Sequence, residues 1–145
     1  MKRGVLALAL LLAAIVAQAQ QPLRDGASIV HYAALATTDL SAAMAQQYGI
    51  RQRSDRALLL LNLQRESAPG KTSPLRGTAT GIARNLLGEV QTLQFRPADA
   101  SNSGDLIAEF DVSHLEFLNF EIEVRPEGAL RPLTLKFQQQ FFTDN

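Results

Sequence analysis

The chain has 145 residues, equal numbers of basic and acidic side chains (14 of each) and 46% hydrophobic residues, with no cysteine and no tryptophan. Balanced charge without any block of one sign argues against nucleic acid and against a polybasic hold on a membrane surface. The missing thiols exclude cysteine nucleophiles, cysteine metal sites and disulfides, so a packed core alone has to hold the fold.

Lys2 and Arg3 precede an apolar run from Gly4 to Ala17, and Ala17-Gln18-Ala19 places small residues at the spacing a signal peptidase accepts. That run falls short of the ~20 residues a membrane span needs, and no basic stop-transfer cluster follows it. A signal peptide over residues 1–19, cleaved after Ala19, is therefore expected, with an uncleaved anchor as the alternative. No cysteine stands at the cleavage point to carry a lipid. Residues 20–145 suffice for a single domain. Loss of Lys2 and Arg3 with the leader gives that domain a net charge of −2.

Residues 27–35 read as a first strand, with Val30, Tyr32 and Ala34 on one face and Ile29, His31, Ala33 and Leu35 on the other. A helix is expected over residues 40–47, capped by Thr38 or Asp39 and ended by Tyr48-Gly49. Its apolar stripe would be Leu40, Ala43, Met44 and Gln47. Ala57-Leu58-Leu59-Leu60-Leu61-Asn62-Leu63 is apolar on both faces, as in a central strand covered on each side. Residues 67–74 form a loop with Pro-Gly and Ser-Pro. Residues 75–84 and 89–96 then make a hairpin turning at Asn85 to Gly88, where positive φ is cheap. A polar loop over residues 97–105 leads to a strand at 106–112, with Leu106, Ala108 and Phe110 on one side. In residues 117–124, Leu118, Phe120, Ile122 and Val124 alternate with Asn119, Glu121 and Glu123, which marks a half-buried strand. Arg125-Pro126-Glu127-Gly128 turns into a last strand carrying Leu133, Leu135 and Phe137, with Pro132 confined to its start.

About seven strands at short spacing with one short helix point to an all-β fold, a two-sheet antiparallel β-sandwich of immunoglobulin-like type. A small outer-membrane barrel is the rival architecture. Too few strands, two tyrosines, no tryptophan and no terminal aromatic residue count against it.

Candidate chemistry is sparse. His31 and His114, joined by Asp111 or Glu116, could supply a His₂-carboxylate site for a metal-dependent or hydrolytic enzyme, although nothing in their spacing enforces one. No serine stands in Gly-x-Ser-x-Gly. Gly77-x-x-x-Gly81 lies within a strand pattern, so it marks a twisted or closely approached strand instead of a phosphate cradle. Arg51, Arg53 and Arg56 surround Ser54 and Asp55 just after Tyr48-Gly49-Ile50. Together with His31 they form the candidate ligand site, in which guanidinium forks would hold a carboxylate or phosphate. The plain alternative is a hydrated loop with Asp55 compensating one arginine. Asn62, an amide inside a leucine run, must find hydrogen bonds if buried and is expected to be structural, tying an inner strand to the loop after it. Phe137, Phe141 and Phe142 flank the neutral polar run Gln138-Gln139-Gln140. At a sheet edge this strand would offer a surface to a protein partner; the plain alternative is a paired inner strand. No catalytic residue, metal or cofactor is assigned.

The ordered set Ile29-Val30-His31-Tyr32, Tyr48-Gly49-Ile50, Arg53-Ser54, Leu61-Asn62-Leu63, Gly77-Thr78-Ala79, Asn85-Leu86-Leu87-Gly88, Val124-Arg125-Pro126-Glu127-Gly128 and Leu135-Lys136-Phe137-Gln138-Gln139-Gln140-Phe141 resembles an uncharacterised exported family of Gram-negative bacteria, domain of unknown function four-four-two-six. The resemblance covers nearly the whole mature chain. It implies a periplasmic β-sandwich and brings no activity, cofactor or substrate. The expectation for function is a small periplasmic binding or interaction module without catalysis, with the His31/His114 enzyme as the alternative.

Overall fold

Side chains that alternate between apolar and polar along most of the chain fold it into two antiparallel sheets. The structure, a computed structural model, describes residues 21–98 and 103–143. The leader and its cleavage point after Ala19 lie outside the described residues. The strands are β1 (Leu23–Asp25), β2 (Ser28–Ala36), β3 (Arg56–Ala68), β4 (Lys71–Pro74), β5 (Gly77–Asn85), β6 (Val90–Gln94), β7 (Arg96–Pro97), β8 (Asp105–Asp111), β9 (Phe117–Pro126) and β10 (Leu133–Gln140). One sheet has the order β1-β2-β3-β8-β7, with β4 also paired to β3, and the other has the order β10-β9-β5-β6. The architecture is the expected all-β two-sheet sandwich. Three strands exceed the expected number, and each is too short (two to four residues) for a two-residue rhythm to register.

The leucine run in β3 is buried on both faces. Ala57, Leu59, Leu61 and Leu63 point between the sheets, where they meet Val30, Leu106 and Phe110 of their own sheet. From the other sheet come Leu93, Leu118, Phe120, Ile122, Val124, Leu133 and Leu135. Leu58 faces the opposite way, into a second cluster with Leu40, Ala45, Tyr48, Ile50, Ala98 and Ile107, flanked by Leu35 and Leu60. Each leucine so covered contributes about 1.5–3 kcal/mol relative to exposure.

The cover over the second cluster is helix α1 (Ala42–Tyr48). Ser41 caps it by accepting a hydrogen bond from the Met44 N–H (3.1 Å), and Gly49 closes it at φ 67. The cap differs from the expected Thr38 or Asp39, because Thr37–Asp39 forms a separate 3-10 turn. Leu40 is extended, so the helical phase starts two residues later than expected. That rotation leaves Ala43 and Met44 exposed and buries Ala45 and Tyr48. Thr37 anchors the segment: its hydroxyl accepts from the Arg53 N–H and donates to the Arg53 carbonyl, both at 2.9 Å.

Strand β5 faces the core with Gly77, Ala79, Gly81 and Ala83 alone, while its neighbour β9 presents four large residues. A Cβ on Gly77 would sit 2.5 Å from Leu63 Cδ2, and one on Gly81 would sit 2.7 Å from the Glu121 carbonyl oxygen. These glycines therefore mark close approach, as the strand pattern implied. The hairpin turn is also as expected: the Asn85 side-chain oxygen accepts from the Leu87 and Glu89 N–H groups, and Gly88 has φ 87. Its second arm is shorter than the expected 89–96. β6 stops at Gln94, the chain crosses at Phe95, and Arg96 and Pro97 pair with Ile107 and Leu106 in the other sheet.

Glutamine amides join the two sheets on both flanks. Gln91 of β6 exchanges two hydrogen bonds with the Asp111 backbone, each 2.8 Å, as a neighbouring strand would. Gln139 of β10 donates to the Ala34 carbonyl at 2.7 Å, on the length of β2 that short β1 leaves uncovered.

Two outcomes follow from this packing. Gly81→Ala meets main-chain atoms that cannot move aside, so it should lower stability by about 1–3 kcal/mol, seen as a lower urea midpoint. Gln91→Ala should cost about 1 kcal/mol and speed hydrogen exchange at the Asp111 amide, whereas Thr92→Ala on the same strand should leave that amide protected.

Candidate interaction surface

Residues 51–55 run exposed between α1 and β3. Arg53 Nη2 lies 2.7 Å from Asp55 Oδ2, and Arg56 Nη1 lies 2.7 Å from Asp111 Oδ1. Two of the three arginines thus already face carboxylates of this chain. Exposed pairs of this kind contribute about 0–1 kcal/mol, so their main effect is to neutralise charge. Arg51 and Ser54 are exposed, while Tyr48 is buried under the helix, its carbonyl accepting from Arg96 Nη2 at 2.7 Å. His31 is exposed on β2 opposite Asn62, whereas the arginine loop reaches β2 near Ala36, which pairs with Ala57. Five strand residues at ~3.3 Å each separate them by roughly 17 Å. The fold brings Tyr48 and the arginine loop together and leaves His31 apart.

The two histidines also stand far from one another. The ladder runs His31, Asn62, Asp105 across three strands, while His114 follows the far end of β8. Six strand steps correspond to roughly 20 Å, too far to share one ion. His114 Nδ1 accepts from the Thr143 N–H at 3.1 Å, and its ring meets Phe142 edge-on with centroids 6.4 Å apart. Among the described residues no three His, Asp or Glu side chains converge as a metal cage would require. Asn62 is structural as expected, but its amide donates to the Asp105 carboxylate at 2.6 Å on the adjacent strand β8 and not to the loop that follows β3, because Asp105 is its cross-strand neighbour.

β10 is an edge strand, yet its aromatic residues divide between core and surface. Phe137 stacks on Phe120 with centroids 4.6 Å apart, and Phe141 is 2% exposed beside Phe110 and Phe120. The Phe141 N–H donates to the Glu116 carbonyl at 2.8 Å. Only Phe142 of the three, 63% exposed, faces outward. Between it and the end of β2 lies a hollow of about 170 Å³ lined by Ala34, Leu35, Ala36 and Asp39.

Phe142 belongs to a larger feature. Among the described residues eight large apolar side chains are exposed, and six of them (Leu86, Leu87, Val90, Leu115, Phe117 and Phe142) sit at one end of the sandwich. Register gathers them there: Asn85 pairs with Leu118, and Gln140 pairs with Phe117 while its amide donates to the Leu115 carbonyl at 3.1 Å. Leu86 and Leu87 form the hairpin tip, 68% and 85% exposed. Leu115 has φ 63, a left-handed conformation that costs a branched side chain roughly 1–2 kcal/mol. A cleft of about 420 Å³ opens beside the tip, lined by Asp55, Asn85, Glu89, Val90, Gln91, Asp111, Val112, Ser113 and Glu116.

Sequence reasoning placed the hairpin turn correctly but passed over its two leucines. The signal was present, since Asn85 and Gly88 meet every demand of the turn and two leucines between them add nothing to it. Leu115 gave no comparable signal, because its side-chain direction depends on how the chain passes from β8 to β9.

Among the described residues no helix is long and apolar enough to cross a membrane. No curated protein matches the sequence. Among solved structures, a DUF4426 family protein from Pseudomonas aeruginosa PAO1 is 27% identical, with a TM-score of 0.71 over 88% of this chain and 98% of that one. A copper-bound variant of FetP from uropathogenic Escherichia coli is 12% identical, with a TM-score of 0.55 over 88% of this chain and 92% of that one, and so shares the fold alone. The family model for a domain of unknown function, DUF4426, matches residues 23–144, and the chain belongs to that family.

Proposed function

We propose that this chain is a periplasmic binding module that acts by holding another protein, without chemistry of its own. One observation carries the reading: the outward apolar side chains are concentrated at one end of the sandwich. Scattered surface leucines are ordinary, but a concentration rimmed by polar groups is what an interaction site looks like. The platform is rigid. Phe142 leaves the chain directly after buried Phe141, and the hairpin tip is held by the Asn85 side chain. Of the expected edge residues, Phe137 packs on Phe120, Phe141 is buried directly before Phe142, and Phe142 alone of the three forms part of this surface. The arginine loop adjoins the same end through Asp55, which lines the cleft, but Arg53 and Arg56 are matched within the chain. Export rests on the leader, its charged start, apolar run and small-residue cleavage site.

Two measurements test this reading. Mass spectrometry of the periplasmic product should give a chain starting at Gln20; a full-length product in the cytosol would end the export proposal. A photo-crosslinking side chain at Leu87 or Phe142 should trap a discrete adduct in cells. The same side chain at Leu130, fully exposed in the β9–β10 loop, should trap none. Equal labelling from all three positions would refute a dedicated surface.

A further inference from the structure

The charge around the apolar end narrows what it receives. Among the described residues four carboxylates line the cleft (Asp55, Glu89, Asp111 and Glu116), and no lysine, arginine or histidine does. Arg53 and Arg56 stand behind two of them, at Asp55 and Asp111. Glu89 and Glu116 converge instead on one neutral amide: Asn85 Nδ2 lies 2.9 Å from the first and 3.5 Å from the second. Among the cleft-lining residues Glu89 and Glu116 therefore face no cation, with Val90 on the cleft wall itself; Arg84, the cross-strand neighbour of Val90, does not line the cleft. An anionic lipid surface would be repelled by this rim. A second copy docking end to end would bring the two acidic clefts together, which disfavours self-association.

We propose that this end receives a segment of a partner protein in which a lysine or arginine is flanked by apolar residues. The basic head enters the cleft between Glu89 and Glu116, and its neighbours pack on Leu86, Leu87 and Phe142. The inference rests on the interaction-module reading above and adds the chemistry of the partner. Apolar contact supplies the area, and the carboxylates select the sign of charge. A lysine or arginine suits such a cleft because its long aliphatic stem covers apolar wall while its head reaches the acid groups.

Three synthetic peptides test it by amide chemical-shift titration of the processed protein: one with leucines around an arginine, the same peptide with glutamate for arginine, and the arginine peptide with serines for leucines. The arginine–leucine peptide should bind about tenfold more tightly than either control, shift the amides of residues 85–91 and 112–117, and weaken as salt is raised. Glu89→Gln and Leu87→Ser, both at exposed positions where folding is insensitive, should each reduce that affinity several-fold with the melting temperature unchanged. Equal binding of the glutamate peptide would overturn the charge inference while leaving the apolar surface in place. Sedimentation with phosphatidylethanolamine–phosphatidylglycerol vesicles, lost in Leu87→Ser, would make the occupant lipid and overturn the proposal. If none of the peptides shifts these amides, the partner chemistry is wrong; if crosslinking through Leu87 also fails, the interaction reading falls with it.

Discussion

Everything in this fold depends on one strand being dry on both faces. With no disulfide to restrain the unfolded chain, stability must come from burial, and β3 supplies burial twice. Its odd-numbered leucines fill the space between the sheets, and Leu58 fills the space under the helix. The helix is only seven residues long, far below the length at which helices persist in water by themselves. It exists because Leu58 and Ile107 need a lid and because Ser41 and Gly49 close its ends. The second cluster in turn fixes the path of the arginine loop, which has to return from the helix to the first residue of β3.

The same logic of coverage operates at the sheet margins. Short β1 pairs with only three of the nine residues of β2, leaving the rest of that edge open, and β6 ends early because the chain leaves for the other sheet. Bare strand edges are templates for pairing with other chains. Here two glutamines reach across from the opposite sheet and occupy main-chain groups that a foreign strand would use. Gln91 does so with the two-bond geometry of a strand, and Gln139 satisfies the Ala34 carbonyl. Each glutamine thereby satisfies main-chain groups that would otherwise be open at its margin.

Much of this was legible in the residues. Leu118, Phe120, Ile122 and Val124 alternate with polar neighbours so regularly that their inward direction could be read directly, and the leucine run could only be a central strand. That Asn62 needs a partner followed from the cost of burying an unpaired amide, but its partner on β8 depends on strand pairing remote in sequence. What escaped prediction depended on phase and on contacts remote in sequence. Whether the helix starts at Leu40 or Ala42 is a shift of two residues, yet it exchanges Met44 for Tyr48 on the buried side. The switch of sheets at Phe95 has no local mark, because Arg96 and Pro97 acquire their strand character only by meeting β8. Likewise the three phenylalanines near the C-terminus look alike in sequence, and the break in alternation after Gln140 decides which one faces out.

The apolar end is costly in a way that helps identify its purpose. Serine or asparagine at positions 86 and 87 would serve the turn equally well and would lower the hazard of aggregation. Leu115 adds backbone strain to exposure, so its side chain gains nothing in the isolated protein to offset a left-handed φ. Strain of this kind persists only where the surroundings enforce it, and it concentrates at sites that do something. The enforcement is visible. Glu116 holds the Ser113 N–H at 2.8 Å, Gln140 holds the Leu115 carbonyl, and the Glu116 carbonyl holds the Phe141 N–H. The polar groups that fix Leu115 outward thus include the carboxylate that lines the cleft. Leu115 and the acidic cleft are therefore mechanically linked through Glu116.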